Sequence, residues 1–106
     1  MMEVVFSERA RRDIAEIYEV IAAKNPVAAL RVERLIRANC DRLGQFPMSA
    51  FKTDEPNLYR LPLVRYPYAI YYRVDPSLDR VEVARIIHGA LIKNLRRMPI
   101  DDAQTE

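Results

Sequence analysis

The sequence predicts an α+β domain: an N-terminal strand and an antiparallel helical hairpin packed on a small, mainly antiparallel sheet. Two observations carry this. Apolar residues recur at helical spacing through two stretches between residues 8 and 43, and past residue 57 the period shortens to two. A third fixes the geometry of the helical part. Only two or three residues separate the two stretches, so the helices must be antiparallel neighbours.

Val4, Val5 and Phe6 read as a first strand. Ser7 is placed to cap the helix that follows, because its hydroxyl can accept one of the amides left open at a helix start. Ala10, Ile14, Ile17 and Ile21 form one stripe on a helix of about 15 residues. Lys24-Asn25-Pro26 closes it. Asn25 caps a second helix whose first turn holds Pro26, where a missing amide costs nothing. Ala29, Val32, Ile36 and Leu43 form its stripe, with Cys40 on the same side. Gly44 is expected to end this helix and Pro47 to keep it ended.

Leu58 to Val64 reads as a strand that is an edge or bulged at Pro62, which has no N–H to donate. In Tyr68 to Val74, Tyr68, Ile70, Tyr72 and Val74 share one face, and Ala69, Tyr71 and Arg73 the other. Asp75-Pro76-Ser77 makes a turn into Val81 to His88, and these two strands should pair. In the second, Val83, Arg85 and Ile87 alternate with Ala84, Ile86 and His88. Leu91 to Met98 is expected to add one or two helical turns. The domain is expected to span residues 1–98, with 99–106 as an acidic, flexible tail. One sheet face should pack on the helices, and the sequence leaves open which.

The chain has 106 residues, and half of them are hydrophobic, enough for one core and no more. Cys40 is the only cysteine, so no internal disulfide can form. No apolar run reaches signal-peptide or membrane length, and we expect a cytoplasmic protein with no membrane partner. Charge is uneven. Residues 56–100 hold eight basic side chains (Arg60, Arg65, Arg73, Arg80, Arg85, Lys93, Arg96 and Arg97) against Asp75, Asp79 and Glu82. Such a block suits phosphates or an acidic protein segment.

One histidine and one cysteine make a zinc site implausible, and no metal or cofactor is expected. Gly44 and Gly89 are isolated, so there is no glycine-rich phosphate loop. No serine is marked as a strained nucleophile. One metal-free chemistry survives: cleavage of RNA through its 2′-hydroxyl. His88 or Tyr72 could act as acid or base, with Arg60, Arg65, Arg73 and Arg85 around the phosphate.

The order and spacing of several short pieces resemble the RelE/ParE toxin superfamily of bacterial type II toxin-antitoxin systems. The pieces are Phe6-Ser7-x-x-Ala10, Asp13-Ile14-x-x-Ile17, Asn25-Pro26-x-x-Ala29, Leu43-x-x-Phe46-Pro47, Tyr59-Arg60, Tyr68-x-Ile70-x-Tyr72-Arg73 and Val81-x-Val83-x-x-Ile86-x-His88-Gly89. The long hairpin and the Asn-Pro start of the second helix look like the ParE branch. That resemblance implies a toxin that inhibits DNA gyrase by direct protein contact and is neutralised by a cognate antitoxin. It implies DNA contact mainly through the antitoxin. The RelE branch implies the alternative, a ribosome-dependent mRNA endoribonuclease. A third reading is a toxin fold with little or no activity, since Ala90-Leu91-Ile92 follows His88-Gly89 where basic residues are common in the family. Carried over by position, Arg60, Tyr72, Arg73 and His88 match family motif residues. The surface that meets target or antitoxin is expected to include Arg60, Arg73, Arg85, His88, Leu91, Lys93, Arg96 and Arg97. The antitoxin should dock by strand addition near Pro62 or by a helix laid in a groove.

Overall fold

The computed structural model describes residues 1–89. Leu91–Met98 and the tail expected from residue 99 lie outside the described residues. The chain runs β1 (Glu3–Phe6), α1 (Glu8–Ala22), α2 (Pro26–Arg42), β2 (Phe51–Lys52), β3 (Leu58–Pro62), β4 (Tyr68–Asp75) and β5 (Arg80–His88), with a 3₁₀ turn at Pro76–Leu78 before β5. The strands form one sheet in the order β1-β5-β4-β3-β2. β1 runs parallel to β5, and every other pairing is antiparallel.

Both helix starts are capped as their residues require. Ser7 Oγ accepts from the Ala10 amide at 2.9 Å, and Asn25 Oδ1 from the Ala28 amide at 3.0 Å. Each cap is worth about 1 kcal/mol. α2 ends at Arg42, just before Gly44 as expected, but not through a left-handed glycine. Leu43 closes the helix in right-handed conformation, and no glycine takes a positive φ among the described residues. Gly44 is instead a point of close approach. A Cβ there would lie 2.6 Å from the Met2 carbonyl oxygen, while the Met2 amide donates to the Gly44 carbonyl at 2.8 Å. That contact ties the end of α2 to the start of β1.

The helical pair covers the sheet face that carries Ile70, Tyr72, Val74, Val81, Val83 and Ile86. Ile14, Val32, Ile36, Cys40 and Leu43 supply the facing layer. Burying one such aliphatic side chain contributes about 1.5–3 kcal/mol. The other sheet face also holds a buried cluster, of Leu58, Ala69, Tyr71, Ala84 and Ile87. Both faces hold buried residues because both alternating sets of β4 are apolar.

The strict alternation expected for β5 is also overturned. Tyr71 stands opposite Arg85, but Tyr72 stands opposite Val83, so Ala84 is an extra residue. This bulge shifts the pattern by one. Val81, Val83 and Ile86 then face the helices, and Ala84 and Ile87 face away. The two-residue strand β2 has too little length to show a period, and sequence pattern alone does not predict it. Among the described residues it pairs with Tyr59 and Arg60 alone, and no described strand lies against Pro62 on that side of β3. With no N–H at Pro62, that edge lacks a ladder donor where an added strand would need one.

The β4–β5 turn is built by Asp75. Its carboxylate accepts from the Ser77 amide and hydroxyl and the Leu78 amide, at 3.1, 2.7 and 3.3 Å. The Ser77 hydroxyl, above all, holds its pKa below the ordinary value. Asp79 then takes the left-handed conformation, φ 53°, which aspartate tolerates.

Candidate interaction site

The sheet brings together some of the residues singled out by sequence and separates others. On the face turned from the helices, Arg60 of β3 pairs in register with Tyr71 of β4 and with Phe51 of β2. Its guanidinium carbon sits 5.5 Å from the centre of the Phe51 ring, a cation–π distance. Tyr71 is buried beneath this layer. Burial pushes its phenol pKa up, and the nearby Arg60 charge opposes that rise.

Arg73 lies on the same face, two residues along β4. Its Nη2 is 2.9 Å from Glu55 Oε2, in the loop before β3. A cleft of about 420 Å³ opens beside Arg60, walled by Leu63, Tyr66, Pro67, Tyr68 and Ala69 and reaching Gly89. His88 closes β5 at this end of the sheet. Its ring meets Tyr68 edge to face at 5.3 Å between centroids. The Gly89 amide donates to the Pro67 carbonyl, which joins the end of β5 to the β3–β4 loop. Arg65 is exposed in that loop.

Tyr72 and Arg85 stand elsewhere. Tyr72 is fully buried on the helix face, stacked on Tyr59 at 5.4 Å. Its hydroxyl donates to the Pro47 carbonyl at 2.8 Å. Burial, helped by Tyr59, pushes its pKa up to about 12. Arg85 turns to the rim beside α1, where Asp13 holds it by two contacts of 2.8 and 3.2 Å. Leu91, Lys93, Arg96 and Arg97 lie outside the described residues. Sequence reasoning missed three participants: Phe51, Tyr71 as a partner of Arg60, and Asp13 as a buried carboxylate. Asp13 did carry a signal, since it stands three residues after Ala10 and four before Ile17 and so shares their face of the helix.

No three His, Cys, Asp or Glu side chains converge on a metal-sized site among the described residues. No described helix is long and apolar enough to cross a membrane. What the exposed face does offer is a band of cations and aromatic rings over a buried apolar layer.

A helical pair on a five-stranded, mostly antiparallel open sheet is the α+β architecture of RelE/ParE-like proteins. Residues 4–92 match the family described as the ParE toxin of the type II toxin-antitoxin system parDE. Toxin RelE2 of Caulobacter vibrioides is 32% identical over 90 residues, covering 85% of this chain and 98% of that protein. Among solved structures, the chromosomal ParDE system of P. aeruginosa aligns with TM-score 0.73 at 24% identity, over 83% of this chain and 96% of that one. The isolated E. coli RelE toxin aligns with TM-score 0.64 at 14% identity, over 93% and 100%. The chain belongs to the ParE toxin family, within the RelE/ParE superfamily of type II toxin-antitoxin systems.

Proposed function

We propose that this toxin arrests growth by direct contact with DNA gyrase and that a cognate antitoxin neutralises it by covering the same cationic and aromatic surface. The observation that carries this reading is the dispersal of the groups a nuclease would need. Tyr72 is buried with its hydroxyl committed to Pro47, and Arg85 is held by Asp13. Arg73 is paired with Glu55. Proton transfer to an external substrate needs the acid or base within hydrogen-bond reach of it. A surface of rings and cations over apolar ground instead suits a protein partner, where Tyr, Phe and Arg contribute most. The P. aeruginosa structure is of a ParDE toxin-antitoxin system, and a solved E. coli RelBE toxin-antitoxin complex also shares the fold, with TM-score 0.63 at 16% identity, which supports an antitoxin partner here.

The second reading is ribosome-dependent cleavage of mRNA. The likeness to a protein named Toxin RelE2 favours it. Expression of the chain alone separates the two. The first reading expects growth to stop with a DNA-damage response and intact mRNA, and growth to resume when the antitoxin is co-expressed. Rapid mRNA cleavage at ribosomal positions without DNA damage overturns it in favour of the second.

A further inference from the structure

The first turns of α1 do more than pack on β5. β1 stops pairing with β5 at Phe6 and Val83, where the chain turns into the helix. From there, α1 and its cap carry on the hydrogen bonding that β1 began. The Ser7 amide donates to the Val83 carbonyl at 2.9 Å, and the Ser7 hydroxyl to the Ala84 carbonyl at 2.8 Å. Two turns on, Asp13 Oδ2 accepts from the Ile86 amide at 2.9 Å. The same carboxylate grips Arg85, Oδ2 to Nε at 2.8 Å and Oδ1 to Nη2 at 3.2 Å, and Arg9 stands 3.4 Å away. Asp13 is 4% exposed and is the only buried charged residue among those described.

A buried carboxylate needs its charge met and its lone pairs filled, and here both requirements are satisfied by one short stretch of β5. This stretch lies just past the bulge at Ala84 and leads directly to His88 and Gly89. Gly89 in turn holds the β3–β4 loop through Pro67, and that loop carries Arg65 and walls the cleft beside Arg60. We propose that Asp13 and Arg85 act together as a positioning pair. They fix the end of β5, and through Gly89 they set the placement of the loop and of the surface that meets the target. Neither residue then needs to touch the target. The functional half of this inference rests on the toxin reading above.

The test compares wild type with Asp13→Asn, Asp13→Ala, Arg85→Lys and Arg85→Ala. Amide hydrogen exchange at Val81, Ile86 and Gly89 is followed by NMR, and growth arrest is measured at a temperature where each variant is fully folded. Removing the acceptor in Asp13→Ala should speed exchange at Ile86 by about ten- to hundredfold while leaving Val81 nearly unchanged. Asparagine keeps an acceptor at this position, so Asp13→Asn should show a smaller change at Ile86, and it guards the test against a failure of Asp13→Ala to fold. In Arg85→Ala the Gly89 amide should lose protection. Arg85→Lys keeps the charge without the two-point grip and should fall between. Growth arrest should follow the order of Gly89 protection across the set.

An Arg85→Ala protein that exchanges as wild type at Ile86 and Gly89 yet no longer stops growth overturns the proposal and makes Arg85 a direct contact. Full growth arrest in variants that have lost Gly89 protection overturns it as well. If wild type itself does not arrest growth, the toxin reading fails, and the exchange data still decide whether the pair fixes the end of β5.

Discussion

The hydroxyl of Tyr72, in the middle of β4, donates to the carbonyl of Pro47 in the loop after α2, at 2.8 Å. The bond spans 25 residues of sequence and pins that loop to the buried face of the sheet. It commits a residue matched by family motif to the core rather than to the exposed surface. Tyr72→Phe is expected to cost about 1–2 kcal/mol in urea unfolding, from the lost bond and the unmet carbonyl. Growth arrest should persist. Its complete loss in a folded Tyr72→Phe protein contradicts this placement and returns the tyrosine to the functional surface.

Two buried groups set the alkaline limit. Burial, reinforced by the Asp41 charge, pushes the Cys40 thiol from 9.0 up to about 12, and Tyr72 rises from 10.0 to about 12. Both folded values lie above the unfolded ones, so the unfolded chain releases these protons first. Their contribution is full below pH 9 and is lost as pH rises from 9 through 12. Thermal unfolding measured from about pH 7 to 11 should show Tm steady up to about 9 and falling beyond. Cys40→Ala should make the fall shallower. An identical slope in that variant excludes the thiol as a contributor.

Gly44 offers a test whose sign is informative. If it served as an ordinary helix stop with negative φ, alanine would be neutral or mildly stabilising, because glycine loses more chain entropy on folding. The Met2 carbonyl oxygen 2.6 Å from the added carbon, and Val4 Cγ2 at 3.2 Å, predict the reverse. Gly44→Ala should cost about 1–3 kcal/mol by overpacking. Calorimetry on the two proteins decides, and the loss should appear first as fraying of β1 in hydrogen exchange.

Arg60 and Arg73 share a face but differ in engagement. Arg60 stacks on Phe51, itself 61% exposed, whereas Arg73 is tied to Glu55. Arg60→Ala should change stability by no more than about 0.5 kcal/mol, as expected of a surface site, and should abolish growth arrest. Arg73→Ala removes a partly exposed ion pair worth about 0–1 kcal/mol, with a smaller effect on activity. Equal activity of Arg60→Ala and wild type removes Arg60 from the functional surface.

Local chemistry was legible along the chain. Ser7 and Asn25 could be read as caps because a cap acts on amides two or three positions away. The apolar stripes of α1 and α2 and the Asp75 turn were equally local. The order of the short motifs also pointed to the family, which the match over residues 4–92 bears out. The cation and aromatic content of the exposed face could be anticipated in part: Arg60 and Arg73 do lie on it.

The remaining features depend on partners far apart in the chain. The parallel docking of β1 on β5 joins residues 3–6 to residues 80–83. The bulge at Ala84 depends on register between two strands and reverses which residues of β5 face the helices. A period-two pattern cannot show such a slip, because one extra residue leaves composition unchanged and moves every later side chain to the other face. Which tyrosines became core and which arginines became tied followed from that register and from Asp13, 72 residues from Arg85. Elements and family could thus be told from residue order, because caps, stripes and turns act over a few positions. Contacts across the fold, which no local spacing encodes, decided that Tyr72 is buried, that Arg85 is held by a helix carboxylate, and that Arg60 is half-buried on the face turned from the helices.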